Sequence, residues 1–364
     1  MTHVDIPFLR YLDEEGRPVA TLPTWLDKAM LHTFYRNMVM VRSYDKKAIA
    51  LQRTGKLGTF PSHLGAEAVG IGVGLAMRPE DVYVPYYRDM PTLYVRGVPM
   101  EQNLQYWGGD ERGSVFYKAD GELSEDLPIC VPIATQITHA AGIAAAFKLR
   151  NQPRVAVVTI GDGGTSKGDF LEGLNCAGVW HLPMVMIINN NQWAISVPRR
   201  IQCGAPTLAQ KAVGGGFPGE QVDGNDAIAV VERLRLAIDR ARHGKGPTML
   251  ECITYRLCDH TTADDATRYR CAEEVNQAWQ EEPIKRLQKF LVERGWWDEK
   301  REQALVAECQ AELQQAIDAY EATPAQDPQE VFEHLYASWP TALAEQREQF
   351  AERIARREGG ADHE

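Results

Sequence analysis

Three runs along the chain, residues 155–160, 184–188 and 249–255, are apolar almost throughout rather than alternating with polar positions. Such runs suit strands buried on both faces, since neither face of the strand then meets water. The stretches between them have the length and pattern of helices. Strands alternating with helices predict an α/β fold with a doubly wound, mostly parallel sheet flanked by helices, and ligands at the carboxyl ends of the strands. Upstream, Thr24 with Asp27 makes a capping box opening a helical pattern that runs to about Arg53, where Gly55 and Gly58 end it. Gly65, Gly70, Gly72 and Gly74 make residues 64–77 a small-residue segment that can pack closely. Val82 to Pro85 reads as a further strand, and the Gly- and acid-rich residues 107–128 as a surface loop.

After about residue 275 the composition shifts to Glu, Gln, Ala and Arg. Val306, Cys309, Leu313, Ile317 and Tyr320 step at three and four, the period of an amphipathic helix. Pro324 and Pro328 punctuate it, and Val331, Phe332, Leu335 and Tyr336 start a second helix; the polar tail beyond Pro340 frays near Gly359-Gly360. The chain thus divides into an N-terminal arm (1–23), a ligand-binding α/β domain (24–275), and C-terminal helices with a tail packed on it (276–364).

Composition narrows the function. The 364 residues carry 39 Lys+Arg against 50 Asp+Glu, a net charge of −11. That balance gives no electrostatic reason to bind a phosphate backbone, so nucleic acid is not an expected partner. No apolar stretch approaches the ~20 residues of a membrane span. The acidic N-terminal region lacks the basic end and apolar run of a signal peptide. Seven cysteines, with no Cys-x-x-Cys pair, point to reduced thiols in the cytoplasm.

The candidate chemistry lies where the first buried strand ends, at Gly161-Asp162-Gly163-Gly164-Thr165-Ser166-Lys167-Gly168-Asp169-Phe170. A glycine-rich turn between strand and helix exposes backbone N–H groups and makes an anion site, typically for phosphate. A Walker loop does not fit, because Asp169 follows Gly168 where Lys is required. The dinucleotide fingerprint also fails, since Ser166 takes the place of its last glycine. Asp162 is the distinctive element: an acid in a phosphate-binding turn repels the ligand unless a cation lies between them. Mg²⁺ prefers an octahedral oxygen shell with one or two protein carboxylates and the rest from phosphates and water. The next strand ends in Asn189-Asn190-Asn191, one helix and one strand later, so Asp162, Asn191 and a main-chain carbonyl nearby can meet over one metal.

Gly161-Asp162-Gly163, then Phe170, Glu172, Asn175, Ala177, Leu182-Pro183 and the closing Asn pair resemble the thiamin diphosphate motif. More narrowly, residues 5 to 350 resemble the alpha subunits of the decarboxylating first component of 2-oxo acid dehydrogenase complexes. The resemblance implies the thiamin diphosphate-binding fold, with Asp162 and Asn191 holding Mg²⁺ and the main-chain oxygen of Trp193 as third protein ligand. It implies that Tyr87 and Arg88 contact the cofactor diphosphate together with Gly163 and Gly164 of the turn, and that the main chain near Ile133 meets the aminopyrimidine ring. Arg suits the diphosphate because its planar donor fork is permanently charged. In some relatives Thr and Gln in the segment of Thr135 and Gln136 bind potassium. Here Cys130 and Val131 stand where those relatives carry hydroxyl residues, and Thr135 reads as a plain helix N-terminal residue.

The polar loop after the last strand, from Tyr255 to Arg270, resembles the family's active-site loop, whose His (His260 here) binds diphosphate and helps acyl transfer to lipoamide. Imidazole suits that work because it switches between donor and acceptor near neutral pH. By the same resemblance Tyr269 and Arg270 meet a lipoyl domain, and His63 lies near the substrate. Thr261 stands where animal relatives carry a regulated phosphoserine, and reads as unmodified. The implied reaction is oxidative decarboxylation of a 2-oxo acid with acyl transfer to a lipoyl arm, most like bacterial pyruvate enzymes. Branched-chain 2-oxo acid and acetoin enzymes are the alternatives, and a non-catalytic assembly homologue is the alternative from another class. The chain shows one set of parallel-strand signals, whereas the chemistry needs a glutamate from a second domain. In the family a separate beta subunit supplies it, in a heterotetramer of two alpha and two beta chains that serves a lipoyl-bearing dihydrolipoamide acyltransferase.

Overall fold

A computed structural model of the chain describes residues 5–118, 120–333 and 335–358. It comprises two compact units, Met1–Tyr320 and Glu321–Glu364.

The first unit is built on six strands: β1 (Phe8–Leu9), β2 (Val82–Val84), β3 (Ala156–Gly161), β4 (Met184–Asn190), β5 (Gly219–Asp223) and β6 (Thr248–Ile253). They lie in the order β1-β5-β6-β4-β3-β2, and every neighbouring pair is parallel. The unbroken apolar runs are the inner strands, and both their faces are covered. Val158, Ile160, Met186 and Ile188 pack under helices α3 (Thr135–Leu149) and α4 (Gly168–Val179). The alternate residues Val157, Val185, Ile187 and Leu250 pack under α2 (Glu67–Ala76) and α5 (Ala227–Arg242). A fold wound to both sides of a parallel sheet follows directly from that alternation.

Two strands carry little signal in the sequence. β5 reads Gly-Glu-Gln-Val-Asp, next to the sheet edge and half-exposed over its first three residues. β1 is two residues long and is held from outside the sheet: Asp226 Oδ2 accepts from the Tyr11 and Leu12 amides at 2.6 and 2.7 Å. The same carboxylate's Oδ1 caps α5.

Helix α1 (Lys28–Arg53) ends where the sequence places its end, but its cap differs from the expected box. Asp27 is itself the N-cap, its side chain accepting from the Met30 amide, so Thr24 lies outside the helix. The small-residue stripe of α2 does pack closely. A Cβ at Gly70 would sit 2.6 Å from Pro91, and one at Gly72 2.5 Å from Val230. Helices α6 (Pro283–Glu293) and α7 (Glu299–Glu321) follow, with Leu305, Cys309, Leu313 and Ile317 as the buried stripe of α7.

In the second unit the helix expected from Val331 is replaced by a short 3₁₀ turn, Pro328–Phe332. A full helix, α8 (Thr341–Glu358), instead begins after Pro340, in the stretch expected to be tail. Residues 341–358 are dominated by Ala, Glu, Gln and Arg, strong helix formers, and Pro is tolerated before a helix start but not inside it. Gly359-Gly360 lie outside the described residues. No helix among those described is long and apolar enough to cross a membrane.

Candidate active site

The segments that follow β2, β3, β4 and β6, adjacent strands in the sheet, line one cleft of about 550 Å³. Tyr87 and Arg88 come from the first, Asp162, Gly163 and Gly164 from the second, Asn191 and Trp193 from the third, and His260 and Thr261 from the fourth. Parallel strands all point their carboxyl ends the same way, so residues far apart in sequence converge at this edge.

The glycine-rich turn, Asp162–Ser166, is a single 3₁₀ stretch leading into α4. Gly163 is required by close approach, since a Cβ there would lie 2.7 Å from the Ala194 Cβ. Asp162 is 1% exposed, and its Oδ2 has no hydrogen-bond partner. Burial pushes its carboxyl up to about 6, opposed by the Gly163 amide. A buried carboxylate with an idle oxygen is costly unless a cation completes it. Asn191 faces the same cleft, its Oδ1 accepting from the Trp193 amide at 3.2 Å. The Trp193 carbonyl accepts weakly from Arg256 at 3.3 Å, leaving it a second lone pair. Among the described residues no cluster of three His, Cys, Asp or Glu is placed to hold a metal. The donors gathered at the turn are one carboxylate and neutral oxygens, a set a hard cation could take.

The cleft also holds a buried positive charge, with a second one close behind His260. Arg88, 5% exposed, donates from Nη1 to the Ser62 carbonyl and from Nη2 to the His260 carbonyl at 2.9 Å. Its buried Nε has no partner. Arg256, also buried, donates to the carbonyls of Trp193, Ile195 and Cys258 and to the Tyr269 hydroxyl. Among the described residues neither guanidinium has a carboxylate in ion-pair range. Two buried charges held by neutral acceptors alone call for an anionic ligand. His260 sits between them, its Nδ1 at 3.3 Å from Arg88 Nη2 and 3.4 Å from Arg256 Nη1. Burial, then the two guanidiniums, push its pKa down to about 4. The imidazole is thus neutral at neutral pH, with Nδ1 facing donors and the proton on Nε2.

Ile133 lines the cleft, touching the position where a Gly164 side chain would be. Tyr269 and Arg270 do not line it and instead brace the loop that carries His260. Tyr269 bonds Asp264 and Arg256, and Arg270 donates to the carbonyls of Arg256 and Cys258. His63 is buried behind the wall, with Nε2 at 2.9 Å from the Val41 carbonyl and Nδ1 at 3.1 Å from Asp45; Thr59 and Pro61 of the same segment face the cleft. Sequence reasoning assigned no role to Arg256 or Trp107, which lies in the cleft wall. Arg256 had a signal, since it follows its strand end much as Arg88 follows β2.

The sequence model of the dehydrogenase E1 component family matches residues 35–329. The pyruvate dehydrogenase E1 component subunit alpha of Acholeplasma laidlawii is 41% identical over 340 residues, 93% of this chain and 97% of that protein. The protein of the same name from Staphylococcus aureus (strain Mu50 / ATCC 700699) is 38% identical over 97% of this chain and 95% of its own. The 3-methyl-2-oxobutanoate dehydrogenase subunit alpha of Mycobacterium tuberculosis is also 38% identical, over 97% and 96%. The chain belongs to the dehydrogenase E1 component family. That family is thiamin diphosphate dependent.

Proposed function

We propose that this chain is the alpha subunit of a pyruvate dehydrogenase first component. It would act with a beta subunit in oxidative decarboxylation of pyruvate and reductive acetylation of a lipoyl group. The observation that carries the reading is the pairing of charges in the cleft: Arg88, buried without a carboxylate partner among the described residues, and Asp162, buried with an idle oxygen, both line it, and the buried Arg256 adds a second positive charge beside His260. A diphosphate together with one divalent cation would satisfy both charges. Asp162, Asn191 and the Trp193 carbonyl would hold Mg²⁺. Tyr87, Arg88, Gly163, Gly164 and His260 would hold the diphosphate, and the main chain at Ile133 the aminopyrimidine.

When bound, thiamin diphosphate supplies the electron sink for decarboxylation. The chain's own residues bind, orient and exclude water. His260, neutral with its proton on Nε2, would donate into the cleft, first to the diphosphate and then during acyl transfer to the lipoyl arm of an acyltransferase. Tyr269 and Arg270 would keep that loop in place for the lipoyl domain. Among the described residues no glutamate lines the cleft, and on this reading the aminopyrimidine partner would come from the beta chain of an α₂β₂ assembly. A cytoplasmic setting fits seven cysteines of which none is paired.

Co-expression with a candidate beta subunit, assayed with an artificial electron acceptor, tests the reading. Pyruvate should turn over fastest of pyruvate, 3-methyl-2-oxobutanoate and acetoin, and the chain alone should turn over none. The equal identity to the mycobacterial 3-methyl-2-oxobutanoate enzyme makes that substrate the second reading. Decarboxylation by the isolated chain would sink the two-chain site.

A further inference from the structure

Residues 59–65 form part of the cleft wall, with Thr59 and Pro61 facing the cleft. They are stitched to the His260 loop near both ends, through Leu257 N to Leu64 O at 3.2 Å and Thr262 N to Phe60 O at 2.9 Å. The Phe60 amide also donates to Thr262 Oγ1 at 3.0 Å. The middle of the segment supplies the Ser62 carbonyl that receives Arg88 Nη1. Arg88 is therefore pinned at two main-chain oxygens, Ser62 and His260, and its planar fork points where those two carbonyls aim it.

The anchor of the Ser62 end is a carboxylate outside the cleft. Asp45, on α1 and 1% exposed, accepts from Ser62 Oγ through Oδ2 at 2.5 Å. Its Oδ1 accepts from the His63 amide at 2.9 Å and lies 3.1 Å from His63 Nδ1. His63 Nε2 reaches back to the Val41 carbonyl, one turn earlier on α1, at 2.9 Å. A single buried carboxylate thus fixes two consecutive residues of the segment, and the His63 ring ties them a second time to the same helix. None of the three groups reaches the cleft.

We infer that Asp45 is a positioning residue for Arg88: through Ser62 and His63 it sets the carbonyl that aims the guanidinium at a diphosphate. The inference rests on reading the cleft as a diphosphate site. Its signature is selectivity. Loss of the aim weakens a ligand carrying the diphosphate and spares the rest of the cofactor. Loss of general packing weakens both.

The test uses the chain assembled with its beta subunit in excess Mg²⁺, with calorimetric affinities for thiamin diphosphate and for thiamin, which lacks the diphosphate. Asp45→Asn should weaken thiamin diphosphate by about tenfold, and Ser62→Ala by roughly threefold, with thiamin changed less than about twofold. In an Arg88→Ala background Asp45→Asn should add less than about twofold, because the group it positions is gone. Should Asp45→Asn fail to fold, Ser62→Ala removes one hydroxyl and carries the same comparison. Equal weakening of both ligands, or an Asp45→Asn effect that persists in full without Arg88, overturns the inference and leaves the site reading standing. Wild-type affinity for thiamin diphosphate in Arg88→Ala overturns both.

Discussion

Arg88 Nη2 donates to the main-chain carbonyl of His260 at 2.9 Å, so a side chain that follows the edge strand β2 holds the backbone of the loop that follows the inner strand β6. Whatever shifts the guanidinium shifts the loop with it.

Arg88→Lys keeps the charge and loses the fork. One ammonium cannot reach both carbonyls and an anion in the same geometry. Thiamin diphosphate affinity should fall by about ten- to thirtyfold, equivalent to roughly 1.5–2 kcal/mol. Amide exchange of residues 258–262 should quicken in the same variant, measured by mass spectrometry. Slow exchange retained beside weakened binding would separate the guanidinium from the loop.

The raised Asp162 carboxyl predicts a pH dependence. Its folded value of about 6 exceeds the usual carboxylate value, so the folded apoprotein takes up the proton first as pH falls. On the proposed reading, Mg²⁺ would bind the ionised form. Mg²⁺ affinity, titrated calorimetrically in the presence of thiamin diphosphate, should hold above pH about 6 and decline below it. Asp162→Asn should abolish the metal step and the pH dependence together while the fold survives.

His260 predicts the opposite sign for stability. Its folded pKa of about 4 lies below the usual value of 6.5, so on acidification the unfolded chain protonates this group first. Its contribution is present above pH 6.5 and is lost as pH falls from about 6.5 to about 4. His260→Gln cannot titrate, and its melting temperature should fall less across that window than the wild type's. Parallel curves would show that burial beside two guanidiniums does not set the imidazole.

Gly163→Ala drives a methyl group into Ala194, whose Cβ would be 2.7 Å away. Overpacking of this kind costs about 1–3 kcal/mol. The melting temperature and cofactor affinity should both drop, and Ala194→Gly should restore them in the double variant. Failure of the rescue would move the requirement for glycine to some other neighbour.

The inner sheet was legible because a strand covered on both faces has to be apolar at nearly every position, and residues 155–160 and 184–188 are. β5 was not, because a strand beside the edge keeps Glu220 and Gln221 partly in solvent and shows no run. Helix α8 was missed for a related reason: with no strong apolar stripe, only propensity marks it. In the site, Asp162 stood out because an acid in a phosphate turn is a chemical contradiction that local sequence displays. The place of His63 depends on which way one side chain leaves a loop, and that direction is set by Asp45, a partner on another element. Arg256 shows the same limit, since its lack of a carboxylate partner is visible only in three dimensions.

The edge strand Phe8–Leu9 and the Asp226 carboxylate that receives its neighbours stand about 215 residues apart. On a ribosome adding some 5–20 residues per second, the arm waits roughly 10–40 s for its seat to be synthesised. This strand, made long before its seat, is therefore among the last to dock, and from the time β5 is made until the arm arrives its outer edge is an open, hydrogen-bond-hungry border to any passing extended chain.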